Sequence, residues 1–222
     1  YSGDDAIVLK STVSGRPCRN VTVADCRLSG APSCLKLGTE SQGGFEHIRF
    51  GDCFLYDSRD GIAIEEVDGG INRDVCVSNI VMRDVVTPIF IRLGNRANPV
   101  PGDPVPGVGQ LRDVTIKNVV AEGAGKVGCS ITGLPGHPVE NVTLEQVRLR
   151  FEGGGTAEDA ARPIKEKAES YPKGDMFGTL PAYGFYCRHV SGLKMSQVEV
   201  SFADEDARPA MAAEDVEGLE TE

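Results

Sequence analysis

Tryptophan is absent from the 222 residues and aromatics make up only 6% of them. Any aromatic platform must therefore come from 8 Phe and 5 Tyr. No apolar run approaches the roughly 18 residues that a membrane-spanning helix needs, which excludes such a span. A basic excess is lacking too: 23 Lys and Arg stand against 33 Asp and Glu, giving a net charge of −10. Polyanion binding needs a cationic surface, so neither nucleic acid nor membrane is an expected partner. Among seven cysteines there is no C-x-x-C pair, and His47, His137 and His189 are scattered, so no zinc spacing exists. The thiols read as core fillers, and His137 and His189 as turn residues. No starting methionine or leader is visible, and the chain reads as a fragment truncated at both ends. What is present, 40% apolar and 25% charged residues, is the composition of a folded chain.

A repeat dominates that chain. The pattern apolar-x-apolar-x-polar-apolar-x-apolar runs through Val21-Thr22-Val23-Ala24-Asp25-Cys26-Arg27-Leu28. It returns at Ile48, Val75, Val114, Val142 and Leu193, with another copy starting at Leu219; the steps are 27, 27, 39, 28, 51 and 26 residues. A second series follows as Ile7-Val8-Leu9, Leu35-Lys36-Leu37, Ile62-Ala63-Ile64, Ile89-Phe90-Ile91, Cys129-Ser130-Ile131 and Phe185-Tyr186-Cys187. Alternation of this kind is strand periodicity, and strands this short gain burial only by stacking on their neighbours. The predicted fold is all-β, a right-handed parallel β-helix of about 27 residues per coil. It forms one domain over residues 1–222. Asp25, Asp52, Asn79, Asn118, Gln146 and Gln197 then align as a column of polar turn residues able to bond along the axis. Cys26 and Cys53 are neighbours in the next column, within reach of a bridge.

Both series stretch at the same two places, which places loop insertions at 94–110 and 152–183. The first is rich in Pro and Gly; the second carries a candidate helix from Thr156 to Ala168, capped by Thr156 with Asp159 three residues on. One insertion follows a second-series strand and the other precedes one, so they are expected to wall a groove on that sheet. With the isoleucines and leucines turned inward, the outward positions run Asp5, Val8, Lys10; Ser33, Lys36, Gly38; Asp60, Ala63, Glu65; Thr87, Phe90, Arg92. The sharpest feature is Asp4 beside Asp5. Such a pair is common in turns, and it is also what glycoside hydrolysis needs: an acid for the leaving oxygen and a carboxylate for water.

SGDDAIVLKS resembles the Gly-Asp-Asp strand of the polygalacturonase family, glycoside hydrolase family 28. LKLGTESQGGFEHIRF and DGIAIEEVDGG are similar to the family's next two coils, with its Gly-Ser/Thr-Glu turn at Gly38-Thr39-Glu40. The likeness is strongest over Ser2 to Arg92, and the remainder looks like a bacterial branch. It implies an inverting, metal-free hydrolase without cofactor, secreted or periplasmic, acting on a pectic or related polysaccharide or oligosaccharide. Asp4 would be the general acid and Asp5 one of the groups holding the water, with a further aspartate upstream of Tyr1. Two family features are missing. No histidine occupies Ala31-Pro32-Ser33, and Ala63-Ile64-Glu65 stands where the uronate-binding Arg-Ile-Lys is expected. Lys36 or Arg92 is then a candidate to replace that charge, although Glu65 and Arg92, one rung apart, also read as an ion pair. Lys10 matches the family's lysine, and Lys10 and Lys36 read equally as solvated charges. Tyr171, Phe177, Tyr183, Phe185 and Tyr186 fall close together, and Tyr186 is the expected outward-facing sugar platform. A β-helix that binds carbohydrate without cleaving it, and a calcium-dependent pectate lyase, are the alternatives.

Overall fold

A computed structural model describes all residues 1–222. It is almost wholly β: β1 (Ile7–Ser11), β2 (Cys18–Ala24), β3 (Arg27–Leu28), β4 (Ser33–Ser41), β5 (Phe45–Glu66), β6 (Ile71–Leu93), β7 (Gln110–Ala124), β8 (Cys129–Thr132), β9 (Val139–Gly153), β10 (Phe185–Asp204) and β11 (Met211–Thr221). The single helix, α1 (Ala157–Ala161), lies between β9 and β10. No helix is long and apolar enough to cross a membrane.

Every strand-to-strand ladder is parallel. Val21 faces Ile48, which faces Val75, then Val114, Val142, Leu193 and Leu219. That is the repeat read from the sequence, copy against copy, across both insertions. The second series pairs likewise: Ile7 with Leu35, Leu35 with Ile62, Ile62 with Ile89. The alternating apolar residues meet in one core of 37 buried side chains, with Leu35, Leu37, Ile62, Ile64, Ile89 and Ile91 wholly enclosed. Each such burial is worth about 1.5–3 kcal/mol, which the three-residue strands obtain only from their neighbours.

The turns carry their own signal. Asp25, Asp52, Asn79, Asn118, Gln146 and Gln197 all adopt positive φ, from 51° to 56°, a region that Asn and Asp tolerate better than other side chains. Asn79 Nδ2 donates to Asp52 Oδ1 (2.9 Å), and Asn118 Nδ2 donates to Asn79 Oδ1 (2.8 Å). Cys26 and Cys53 are free, each thiol turned to the carbonyl two residues back.

Two expectations about the insertions need correction. Thr156 caps a helix through the capping box with Asp159, but α1 stops at Ala161. Pro163 disfavours helical geometry at the residue before it, and Arg162 is extended. The second insertion is also not a wall beside an open groove. Met176, Phe177 and Leu180 pack onto Ala63, Phe90 and Tyr186 as a second apolar cluster, so the insertion roofs the outer face of those rungs.

Candidate active site

Where that roof ends, the outer face carries charge. Lys36 projects from β4 between Ala63 and Val8, its partners on either side in the ladder, and is 2% exposed. Its ammonium lies 3.6 Å from Asp5 Oδ2 and 3.6 Å from Glu65 Oε1, and 5.6 Å from the centre of the Tyr171 ring. Burial pulls the Lys36 pKa down, but Glu65, Asp5 and other neighbouring acids outweigh it and hold it above its ordinary value.

Glu65, at the end of β5, is fully buried. Desolvation pushes its carboxyl up to about 8 despite the Lys36 ammonium and the hydroxyl of Thr39, which donates to Oε2 at 3.0 Å. Gly38 makes room for it. That residue has φ +111°, and a Cβ there would stand 3.1 Å from the Glu65 side chain, so the family-like Gly-Thr-Glu turn needs glycine for both reasons.

Asp5 is nearly buried, 12% exposed at its side chain, and its Oδ1 is enclosed with no hydrogen-bond partner. Asp4 is exposed, and its Oδ1 accepts the Asp5 backbone N–H at 2.8 Å. The pair thus stands on the outer face, one carboxyl in solvent and one against Lys36.

Further charges ring this centre. Asp60 is buried, takes the Arg59 guanidinium at 2.9 Å, and accepts from Ser33 Oγ at 3.4 Å. Burial raises its pKa. Gly174 from the second insertion sits so near that a Cβ would lie 2.2 Å from Asp60 Oδ1. Lys10, half-exposed, pairs with Glu40 at 2.9 Å. Arg96 pairs with buried Asp68, its Nε 3.0 Å from Oδ1, and its guanidinium lies 5.9 Å from the Tyr171 ring. Tyr171 is 56% exposed.

Asp4, Asp5, Lys36 and Glu65 are therefore brought together, with Lys10 at the margin. Arg92 is not on an open surface. It is 1% exposed and donates to Thr132 Oγ1, the Gly133 carbonyl and the Glu166 carbonyl (2.8 Å for the last). Desolvation lowers its pKa to about 10, and it clamps the second insertion to the sheet. Glu65 and Arg92 share a register position without forming an ion pair, because Lys36 takes Glu65. Tyr186 is fully buried beneath Met176, Phe177 and Leu180, so it cannot be the exposed platform. Tyr171, in the same aromatic stretch, is the exposed ring. Alternation within β10 rightly turned Tyr186 away from the core, but only knowing that the insertion folds over the sheet separates the two tyrosines.

The outer face of these parallel ladders, with adjacent aspartates and a buried ammonium among carboxyls, is a site suited to acid–base work on a polar substrate. A family model described as glycosyl hydrolases family 28 matches residues 1–169, more than half of the chain and all of the cluster except Tyr171 and Gly174. The chain belongs to that family, a family of β-helical glycoside hydrolases. Comparison with curated proteins and with solved structures gave no match.

Proposed function

We propose that the chain is a polygalacturonase-like hydrolase cleaving O-glycosidic bonds of a pectic or related polysaccharide by inversion, on a right-handed solenoid of about 27 residues per coil. Asp4 donates a proton to the leaving glycosidic oxygen. Asp5 helps hold the water that attacks the anomeric carbon from the opposite face and takes up its proton. The observation that carries this reading is Asp5 itself: its Oδ2 is oriented by Lys36 while its Oδ1 is enclosed and free of any hydrogen bond. A buried acceptor left open is costly unless a ligand or water fills it. Tyr171, exposed beside Lys36, supports a sugar ring by stacking.

Asp4→Asn removes the proton donor and keeps its shape. Release of reducing ends from pectic polymers should fall by about a hundred- to ten-thousand-fold, and the first product of the native protein, followed by NMR, should carry the inverted anomer. Undiminished turnover in the variant removes Asp4 from the mechanism. A second reading, carbohydrate binding without cleavage, draws on Asp4 Oδ1 being held by the Asp5 amide. It predicts binding that survives Asp4→Asn and no product from either form. The family match favours hydrolysis over the lyase alternative.

A further inference from the structure

The cations around Asp5 are each already taken by a carboxyl. Lys36 lies between Asp5 and Glu65. Arg59 is bound to Asp60, and Arg96 to Asp68. Lys10, the most exposed of the four, is paired with Glu40. Two of these acceptors, Asp60 and Asp68, are wholly buried, so their guanidinium groups cannot turn to a ligand without stranding a charge inside the protein. Arg92, the remaining cation of the expected groove, is spent on the Gly133 carbonyl and on the Glu166 and Lys167 carbonyls of the roof.

Carboxyls outnumber these cations. Asp4, Asp5, Glu40, Asp60, Glu65 and Asp68 face Lys10, Lys36, Arg59 and Arg96. Even with Glu65 protonated, as burial favours up to a pH of about 8, the cluster keeps an excess of negative charge. A uronate carboxylate entering here would meet no unpaired cation and an anionic field, strengthened by the partly enclosed, low-dielectric setting. A hydroxymethyl group in the same place would bring a hydroxyl donor to Asp5 Oδ1, which is enclosed and unbonded, and an esterified carboxyl would bring no charge to repel.

From this pairing we infer that the sugar bound beside Asp5 and Lys36 is uncharged, so that the site takes a neutral or esterified glycan and rejects a polyuronate. The inference deepens, and rests on, the hydrolase reading of the same site.

Native polygalacturonate and the same polymer after chemical reduction of its carboxyls differ in charge but not in linkage. The full protein is to be run through gels containing each polymer and assayed for reducing ends on each. The expected result is retardation and cleavage by the reduced polymer, with at least a tenfold weaker response to the native one. Retardation by the reduced polymer without cleavage leaves the inference standing and sinks the hydrolase reading. Equal or stronger binding or cleavage of the native polymer overturns the inference, and so does a response to neither. Glu40→Gln, a change at a partly buried side chain that removes the charge paired with Lys10, should narrow the gap between the polymers. An unchanged gap in that variant overturns the charge argument.

Discussion

Lys36 is the side chain on which most of the local electrostatics turns. Two carboxyls compete for it at equal distance, 3.6 Å, and its four-carbon stem is enclosed by the sheet and the roof. Removing one partner from a buried ionic group leaves uncompensated charge, which typically costs about 3–5 kcal/mol. Lys36→Met should therefore destabilise the protein by an amount toward the lower end of that range, because Glu65 can take a proton and only Asp5 is left exposed to the loss. Equilibrium urea denaturation at pH 7 checks it, and adding Glu65→Gln to Lys36→Met should recover part of the deficit. Strand alternation was enough to put Lys36, Glu65 and Asp5 on one face. It did not reveal that Lys36 would be consumed by the two acids, since pairing depends on which neighbouring rung supplies the nearest opposite charge. Arg92 shows the same limit: its position in the ladder was legible, whereas its engagement with carbonyls 74 and 75 residues away was not.

At the scale of elements, the polar turn column has the most direct test. Asn79 both donates to Asp52 and accepts from Asn118, at φ +56°. Asn79→Ala loses both bonds and places a Cβ residue with no stabilising side chain in the left-handed region, at a cost of about 1–2 kcal/mol. Asn79→Gly loses the bonds but relaxes the backbone, so it should be the milder variant despite removing more atoms. Chemical denaturation of the two proteins side by side reads the order, and equal losses would show that conformation contributes nothing there. This column could be read from spacing alone, because identical turns recurring at one period place like residues above one another. The insertions could not. Their lengths and Pro/Gly content marked them as irregular, but their apolar residues, Met176, Phe177 and Leu180, lie in no periodic pattern that would show which face they cover.

For the molecule as a whole, an acidic chain of net charge −10 also buries acids. Glu66 is enclosed, and desolvation lifts its carboxyl from the ordinary 4.5 to about 8, against the backbone N–H of Gly70, the Ser41 hydroxyl and the Asp68 N–H. Its Oε1 takes the Gly70 and Asp68 amides, and its Oε2 has no partner. A carboxyl raised in the folded state binds its proton more tightly there than in the unfolded chain. Below pH 4.5 both states are protonated and nothing changes; between 4.5 and about 8 the unfolded chain ionises first, and stability is lost as pH rises. The slope is on the order of 1 kcal/mol per pH unit. Glu66→Gln cannot ionise, so its melting temperature should gain on that of the native protein steadily from pH 5 to 8. A constant difference across that range would show that Glu66 is ionised in the folded protein throughout.

The ladder pairs copies 39 and 51 residues apart as cleanly as those 27 apart. Alignment is thus dictated by the rungs and is indifferent to what is spliced between them. The junctions after Leu93 and Gly153 are natural seams at which a foreign segment of different length can be grafted. Evolution, or an engineer, can recut the insertions beside the charged cluster and change what fits there without changing the register of the rungs.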